Sequence, residues 1–125
     1  MHNVLLVGLG GFIGSAGRYL VSGWVQQMVD KPLLPFGTLA VNVIGCLLIG
    51  LLGGLAEARE IMHSNARMFV MVGMLGGFTT FSTFGYETFA LGRDGESLLA
   101  LANIAAQVVM GFFAVWAGFT LAKAV

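Results

Sequence analysis

The sequence predicts an all-α integral membrane protein, a single domain over residues 1–125 with four transmembrane helices. Of the 125 residues, 58% are hydrophobic and 10% are charged, whereas a typical soluble domain has about 25% charged residues. The mean hydropathy is +0.91. A helix needs roughly 20 apolar residues to cross a bilayer, so four spans occupy most of the chain. The short connections leave no room for a soluble catalytic domain, and we do not expect an enzyme.

Long segments with few charges define the four helices. Near the start, Arg18 is the only charge in the first segment. The other three segments contain no charged residue: 33–56, 68–86 and 97–122. We therefore predict helices over residues 4–29, 37–56, 67–91 and 97–123. Pro35 stands just before the second helix, which is typical of a helix start, and the short connections suit antiparallel neighbours.

Charge and cysteine content exclude several classes of function. Six Lys and Arg residues balance six Asp and Glu residues, and without a basic stripe we expect no nucleic-acid partner. Cys46 is the only cysteine, which excludes an intrachain disulfide and a cysteine-based metal site. No Walker sequence is present, so ATP is not expected to drive transport.

The distribution of Lys and Arg gives little information about orientation. The two termini and the second connection share a side, which carries Arg59, Arg67 and Lys123, while the other side carries Lys31 and Arg93. The positive-inside rule needs a larger bias than three against two. Two interpretations stay open: local context fixes one topology, or the chain inserts both ways and pairs with an inverted copy of itself.

Small residues four positions apart let membrane helices approach closely. They occur in three of the predicted helices: Gly10 and Gly14; Cys46, Gly50 and Gly54; Gly73 and Gly77. Because the core of four short helices is filled by side chains, a transport path is expected along an interface between copies.

The most unusual segment is GGFTTFSTF, residues 76–84, in the middle of the third helix. Adjacent glycines followed by β-branched residues weaken a helix. A break here would free backbone carbonyls at membrane depth, where they persist only when buried in protein or bound to water or an ion. Free carbonyls favour a cation, and the N-terminus of the resumed helix favours an anion. The alternative is an unbroken helix whose hydroxyls bond back to the preceding turn.

Three phenylalanines in this segment, Phe78, Phe81 and Phe84, recur every three residues, which predicts that they lie near one helical face. The edge of a phenyl ring is positive, so ring edges can solvate an anion without a fixed charge that traps it. The ordinary interpretation is a core or lipid-facing aromatic stripe. Against it stands the density of interleaved hydroxyl groups, on Thr79, Thr80, Ser82 and Thr83.

Two amides and two charges complete the candidate residues. Asn42 lies in the second helix, one turn after Thr38. Such an amide is usually an interhelical hydrogen-bonding group, and it can instead donate two hydrogen bonds to a desolvated anion; Gln107 and, more marginally, Asn103 offer similar donors. Arg18 and Glu87 are the only charges well inside spans. They either pair with each other or lie near the interfaces, and a proton-coupling role for Glu87 is a further alternative.

At these residues the whole chain resembles the Fluc (CrcB) family of fluoride channels. Residues 37–45, GTLAVNVIG, are similar to the family motif G-T-L-x-V-N-x-x-G, and residues 73–84, GMLGGFTTFSTF, to G-x-x-G-G-x-T-T-F-S-T-F. Arg18 and Glu87 fall where the family has an arginine and an acidic residue. In the fourth helix, Gln107 replaces an aromatic residue or His of some members and Gly111 replaces a Ser, so the contribution of this helix is open.

The resemblance implies a passive fluoride-selective channel of the bacterial inner membrane that exports cytoplasmic fluoride. It implies an antiparallel, dual-topology homodimer with two pores at the subunit interface. The pore residues would be Asn42, Phe81 and Phe84, with hydroxyls from Ser82, Thr83 and Thr38. It also implies a break in the third helix and a structural sodium ion at the dimer centre, held by the backbone carbonyls of Gly76 and Thr79 at that break from both copies.

Two other functions fit parts of the sequence. A proton-coupled drug exporter of the small multidrug resistance type shares the four spans and the dual topology, but its family has a Glu in the first helix, where this chain has no carboxylate. A non-transporting membrane assembly subunit would leave Asn42 and the cluster of Thr, Ser and Phe residues unexplained.

Overall fold

The computed structural model describes all 125 residues and is entirely helical. Four helices are long and apolar enough to span a membrane, as predicted: α1 (His2–Met28), α2 (Phe36–Arg59), α3 (Ser64–Arg93) and α4 (Ser97–Ala124). Their ends differ from the predicted ends by at most three residues. The helices extend past the charge-free segments because polar residues at the end of a span reach water while the backbone stays helical.

Helix α3 is interrupted near its middle. Its first half contains an α-helical turn (Ser64–Arg67), a π-helical stretch (Met68–Leu75) and a short α-helical end (Gly76–Phe78), and its second half is Phe81–Arg93. Between the halves, Thr79 (φ −88°, ψ 155°) and Thr80 (φ −150°, ψ 118°) are extended. The predicted break is therefore present, two residues after the glycine pair, because β-branched threonines fit extended backbone better than helix.

The break separates the phenylalanines that were expected on one face. Phe78 ends the first half of α3, and its ring lies beside Gly17 of α1 and Gly45 of α2. Phe81 begins the second half and is 81% exposed. The expectation of one aromatic face through all three is wrong, because a helical period does not continue across two extended residues.

The helices pack in two pairs, α2 against α4 and α1 against the first half of α3. Small residues mark both contacts. A Cβ atom on Gly118 of α4 would overlap the carbonyl oxygen of Leu47 in α2, and one on Gly14 of α1 would overlap that of Met74 in α3. Glycine allows this backbone-to-backbone approach. The second half of α3 is held mainly by α4.

Polar contacts join the ends of α2 and α4. Lys123 pairs with Glu57 at 3.3 Å, and Arg59 donates to the oxygen of Val125. The first and third connections lie together at the opposite end of the bundle. Only 18 of 125 residues are buried, so most of the apolar side chains face outward, as lipid or another chain requires.

Candidate functional site

An open groove beside the break in α3 brings several of the candidate residues together. It has a volume of about 400 Å³ and is formed by α2, both halves of α3 and α4. Six candidate residues of α2 and α3 line it: Asn42, Gly76, Thr79, Thr80, Phe81 and Phe84. Gln107 of α4 lines it as well.

Asn42 holds the break. Its Oδ1 accepts the N–H of Thr80 at 2.8 Å, and its Nδ2 donates to the carbonyl oxygen of Thr80 at 3.1 Å. The amide thus pairs with both backbone polar groups of a buried residue that has left the helix. Unpaired backbone groups are costly at membrane depth, so this pairing stabilises the extended segment. Within the chain, Asn42 is an interhelical hydrogen-bonding residue.

The second N–H of Asn42 is also engaged, because Nδ2 donates to Oε1 of Gln107 at 3.0 Å. A side-chain amide has two N–H donors, and here both have acceptors within the chain. The arrangement in which Asn42 gives two hydrogen bonds to an anion is therefore not the one in this structure. The sequence left the contribution of the fourth helix open, and this hydrogen bond to Gln107 is what connects α4 to the break.

Thr80 also begins the second half of α3. Its Oγ1 accepts the N–H of Thr83 at 3.2 Å, which is the usual contact of a threonine that caps a helix. The hydroxyl groups of Thr83 and Ser82 lie 3.1 and 3.4 Å from the same oxygen. Ser82 and Thr83 are exposed, so the positive end of this helix lies beside the groove with two accessible hydroxyls.

The break leaves several carbonyls of α3 without their helical donors, and those of Gly76 and Thr79 are two of them. In a continuous helix the carbonyl of Gly76 would accept the N–H of Thr80, and that of Thr79 would accept the N–H of Thr83. Those N–H groups donate instead to Asn42 and to Oγ1 of Thr80. Backbone carbonyls at a helix break are the groups that coordinate Na⁺ in membrane proteins. The donor set at Gly76 and Thr79 therefore fits a sodium ion.

Phe81 and Phe84 form an edge-to-face pair on the wall of the groove. Their ring centroids are 5.5 Å apart and the planes are inclined at 66°. In such a pair the positive edge of one ring meets the negative face of the other. Phe81 remains largely exposed while Phe84 is half-buried, so the outer ring is free to turn an edge toward a ligand or a partner.

Thr38 and Glu87 lie in a separate polar cavity of about 410 Å³ that has no hydrophobic lining residue. Thr38 Oγ1 donates to Oε1 of Glu87 at 2.7 Å. Arg18 does not pair with Glu87, since the ion pairs of the chain are Arg93–Asp94 and Lys123–Glu57. The alternative in which these two charges pair is therefore not present in the single chain, where Glu87 accepts a hydrogen bond from Thr38 instead.

Replacing Thr38 by Val is expected to destabilise the chain by about 1–3 kcal/mol, the usual penalty for leaving a buried polar group without a partner. Thr38 is 6% exposed, and the Oε2 atom of Glu87 already has no partner. Thermal unfolding of the purified protein in detergent measures the change. Thr120→Val, at an exposed position of α4, is the matched control. Equal melting temperatures for the two variants would contradict the prediction.

A polar connection from α4 to α3 was not predicted from the sequence. Asn103 is fully buried, and its Nδ2 donates to Oγ1 of Thr88 at 2.9 Å. Thr88 Oγ1 in turn donates to the carbonyl oxygen of Phe84 at 2.7 Å. The sequence does indicate the second of these two bonds, because a threonine in a helix commonly donates to the carbonyl four residues before it. Gly111 is buried beside Cys46 and offers no polar group.

Comparison with known proteins identifies the family. Residues 5–119 match the family described as CrcB-like protein, Camphor Resistance (CrcB). A relative from Methylobacillus flagellatus is 45% identical over 98% of this chain and 96% of its own length. Relatives from Geobacter sulfurreducens and Chlorobium chlorochromatii are 43% and 41% identical, over 98% and 97% of this chain and 98% and 92% of their own.

All three relatives are named fluoride-specific ion channel FluC. These names confirm that the relatives are channels, and with them the expectation that this chain is not an enzyme. The similarity extends over nearly the whole chain and includes every helix that forms the groove. This multi-pass membrane protein belongs to the CrcB family.

Proposed function

We propose that the chain forms a passive fluoride channel whose path follows the groove beside the break in α3. The observation that carries the proposal is the lining of the groove, which contains amides, a threonine pair and phenyl rings but no charged side chain. The names of the relatives give the ion.

Fluoride is small and strongly hydrated, so its path must replace water with several donors. The groove offers an amide, the hydroxyls of Ser82 and Thr83 beside it, the ring edges of Phe81 and Phe84, and the positive end of the second half of α3. A Lys or Arg there would bind the ion too tightly, because conduction needs sites that release as well as bind. Thr38 and Glu87 line a polar approach at one end of the bundle.

A second, inverted copy of the chain would complete the path. The groove is open along one side, and the 81% exposed ring of Phe81 stands at its edge. The near balance of Lys and Arg between the two sides permits insertion in both orientations. A twofold antiparallel dimer uses the same surface of both copies, so it would contain two equivalent grooves and hence two pores.

A sodium ion at the centre of that dimer would be held by the carbonyls of Gly76 and Thr79 from both copies. These carbonyls lack helical donors, and a bound cation would supply the positive charge that satisfies them. The sodium ion would stabilise the dimer and would not bind the transported fluoride, because the proposed fluoride path uses hydrogen-bond donors of the chain itself.

Sodium is expected to raise the melting temperature of the purified protein, because a ligand that binds only the folded state stabilises it, by about 2.7 kcal/mol at 100 times its Kd. The comparison is thermal unfolding in sodium chloride against N-methylglucamine chloride at equal ionic strength, since N-methylglucamine is too large for such a site. Identical melting temperatures across a sodium titration would contradict a sodium site at the break.

Flow through the channel would be passive and directed outward. A membrane potential that is negative inside drives an anion out of the cell with about 2.3 kcal/mol per 100 mV, so no coupling to ATP or protons is required. The proposed location is the bacterial inner membrane, where such export would protect the cytoplasm from fluoride.

Ion release from liposomes tests the proposed function. The purified protein is reconstituted, a potassium ionophore supplies the counter-current, and fluoride and chloride electrodes record in parallel. Fast fluoride release without chloride release is the expected result. Uptake of a cationic dye driven by a proton gradient, with no fluoride release, would favour the exporter. No activity in either assay would leave the assembly subunit.

A further inference from the structure

A second cavity opens at the end of the bundle where α2 ends and α3 begins. Its volume is about 510 Å³, and it shares Ile49 and Met71 with the groove. Five of its seven lining residues are hydrophobic, and the other two are Ser64 and Arg67 of the first turn of α3. The hydrophobic residues are Ile49, Met62, Met68, Met71 and Val72. The cavity therefore combines an apolar wall with one cationic group.

Arg67 is the free cation at this end of the bundle. Three basic residues lie here, and two are engaged: Lys123 pairs with Glu57, and Arg59 donates to the oxygen of Val125. The exposed side chain of Arg67 has no ion pair and no hydrogen bond within the chain. A guanidinium group carries five N–H donors, and their planar arrangement matches the oxygens of a phosphate. Arg67 is thus available to an anionic group from outside the chain.

The apolar wall continues from Arg67 into the membrane. Ile49 lies ten residues before Arg59, the last residue of α2, which is about 15 Å along a helix and about half the thickness of the hydrocarbon core. Methionine side chains, of which the cavity has three, adapt to an irregular and flexible occupant. A free phosphate would leave this wall uncovered, and a neutral hydrocarbon would leave Arg67 unpaired. A phospholipid with a net negative charge matches both parts.

We propose that this cavity binds one anionic phospholipid, with the phosphate on Arg67 and an acyl chain along the methionines. Ser64 lines the same cavity and offers a hydroxyl as a second donor. Positive side chains near a membrane surface attract anionic headgroups, and here that attraction is combined with a shaped apolar wall. Since Ile49 and Met71 also line the groove, the bound acyl chain would border the groove. The proposal does not depend on which ion the groove conducts.

Thermal unfolding of the purified protein in a neutral detergent, at constant sodium concentration, tests the proposal. Dioleoylphosphatidylglycerol is expected to raise the melting temperature at a concentration about tenfold lower than dioleoylphosphatidylcholine, because a hydrogen bond to a charged group contributes about that factor. The two lipids have the same chains and phosphate, but choline brings a positive charge toward Arg67. Glycerol 3-phosphate, which has the charge without the chains, is expected to leave the melting temperature unchanged at the same concentrations.

Arg67→Gln is expected to remove the tenfold preference for phosphatidylglycerol, so that both lipids act at the same concentration. Arg93→Gln is the matched control, because it also removes one positive charge but at the opposite end of α3, where Arg93 pairs with Asp94. This control should keep the preference. Met68→Gln, which keeps Arg67 and makes the wall polar, is expected to raise the required concentration of phosphatidylglycerol about tenfold.

Three results would overturn the proposal: equal action of the two lipids on the unchanged protein, a preference that persists in Arg67→Gln, or stabilisation by glycerol 3-phosphate equal to that by phosphatidylglycerol. If Arg67→Gln aggregates, Met68→Gln decides by the same titration, and an unchanged requirement for phosphatidylglycerol in that variant overturns the proposal as well. Elution of Arg67→Gln as a smaller species than the unchanged protein would place Arg67 at a contact between two copies and would likewise exclude the lipid.

Discussion

Fluoride release is expected to fall about 100-fold when Phe81 and Phe84 are both replaced by isoleucine, if each ring edge lowers the barrier by about 1.4 kcal/mol. The two rings form one edge-to-face pair on the wall of the groove. Isoleucine keeps an apolar side chain of smaller volume but has no positive edge to present to an anion. Each single change is expected to lower release about tenfold on the same reasoning. The measurement is the initial rate of fluoride release from liposomes.

Phe12→Ile is the matched control for Phe81→Ile. Both rings are highly exposed in the chain, at 76% and 81%, but Phe12 belongs to α1 and does not line the groove. Release by Phe12→Ile should therefore equal that of the unchanged protein. If the double isoleucine variant elutes as a folded species and conducts fluoride at the same rate as the unchanged protein, the rings only fill space, and the proposed path along the groove loses its aromatic wall.

Gly118→Ala is expected to destabilise the folded chain by about 3 kcal/mol, at the upper end of the range for overpacking a core. A Cβ atom on Gly118 would overlap the carbonyl oxygen of Leu47 and lie 2.8 Å from the backbone nitrogen of Leu51. Both atoms belong to the backbone of α2, so no side chain can rotate away, and α2 and α4 must separate. Thermal unfolding in detergent, together with the yield of monodisperse protein, measures the effect.

Gly8→Ala, the same substitution at another position, is expected to leave the stability of the folded chain unchanged or to raise it. Nothing lies within 4 Å of a Cβ atom on Gly8, which is also inside a helix. Alanine is the better helix former by about 1 kcal/mol, so this variant should melt at the same or a higher temperature. If both alanine variants melted alike, the close approach of α2 and α4 would not be a determinant of stability.

The four helices and the break could be predicted because both depend on local sequence. Charge-free segments of spanning length define the helices, and adjacent glycines before β-branched residues weaken α3. The position of the break could not be predicted, because Asn42 of α2 pairs with the backbone of Thr80 and so determines which residues leave the helix. The wrong prediction that Phe78 shares a face with Phe81 and Phe84 has the same cause, because it assumed a continuous helix from Phe78 to Phe84.

The candidate site could be predicted residue by residue but not as an arrangement. Asn42 was noticed as an amide in an apolar helix, yet its engagement by Gln107 depends on how closely α2 and α4 approach. Whether Arg18 pairs with Glu87 was left open for a similar reason, and in the structure Glu87 accepts a hydrogen bond from Thr38 of α2 instead. Sequence spacing describes neighbours within a helix, and these contacts join different helices.

The carbonyls that lack helical donors at the break have a consequence for the biogenesis of the protein. A newly inserted single chain places the carbonyls of Gly76 and Thr79 at membrane depth without helical donors, where each unsatisfied group costs several kcal/mol. Water, a cation or a second chain relieves that penalty, and hydrocarbon does not. If the chain forms the proposed dimer, an unassembled chain is the species that a membrane protease should degrade fastest, and cellular abundance should rise more steeply than the rate of synthesis.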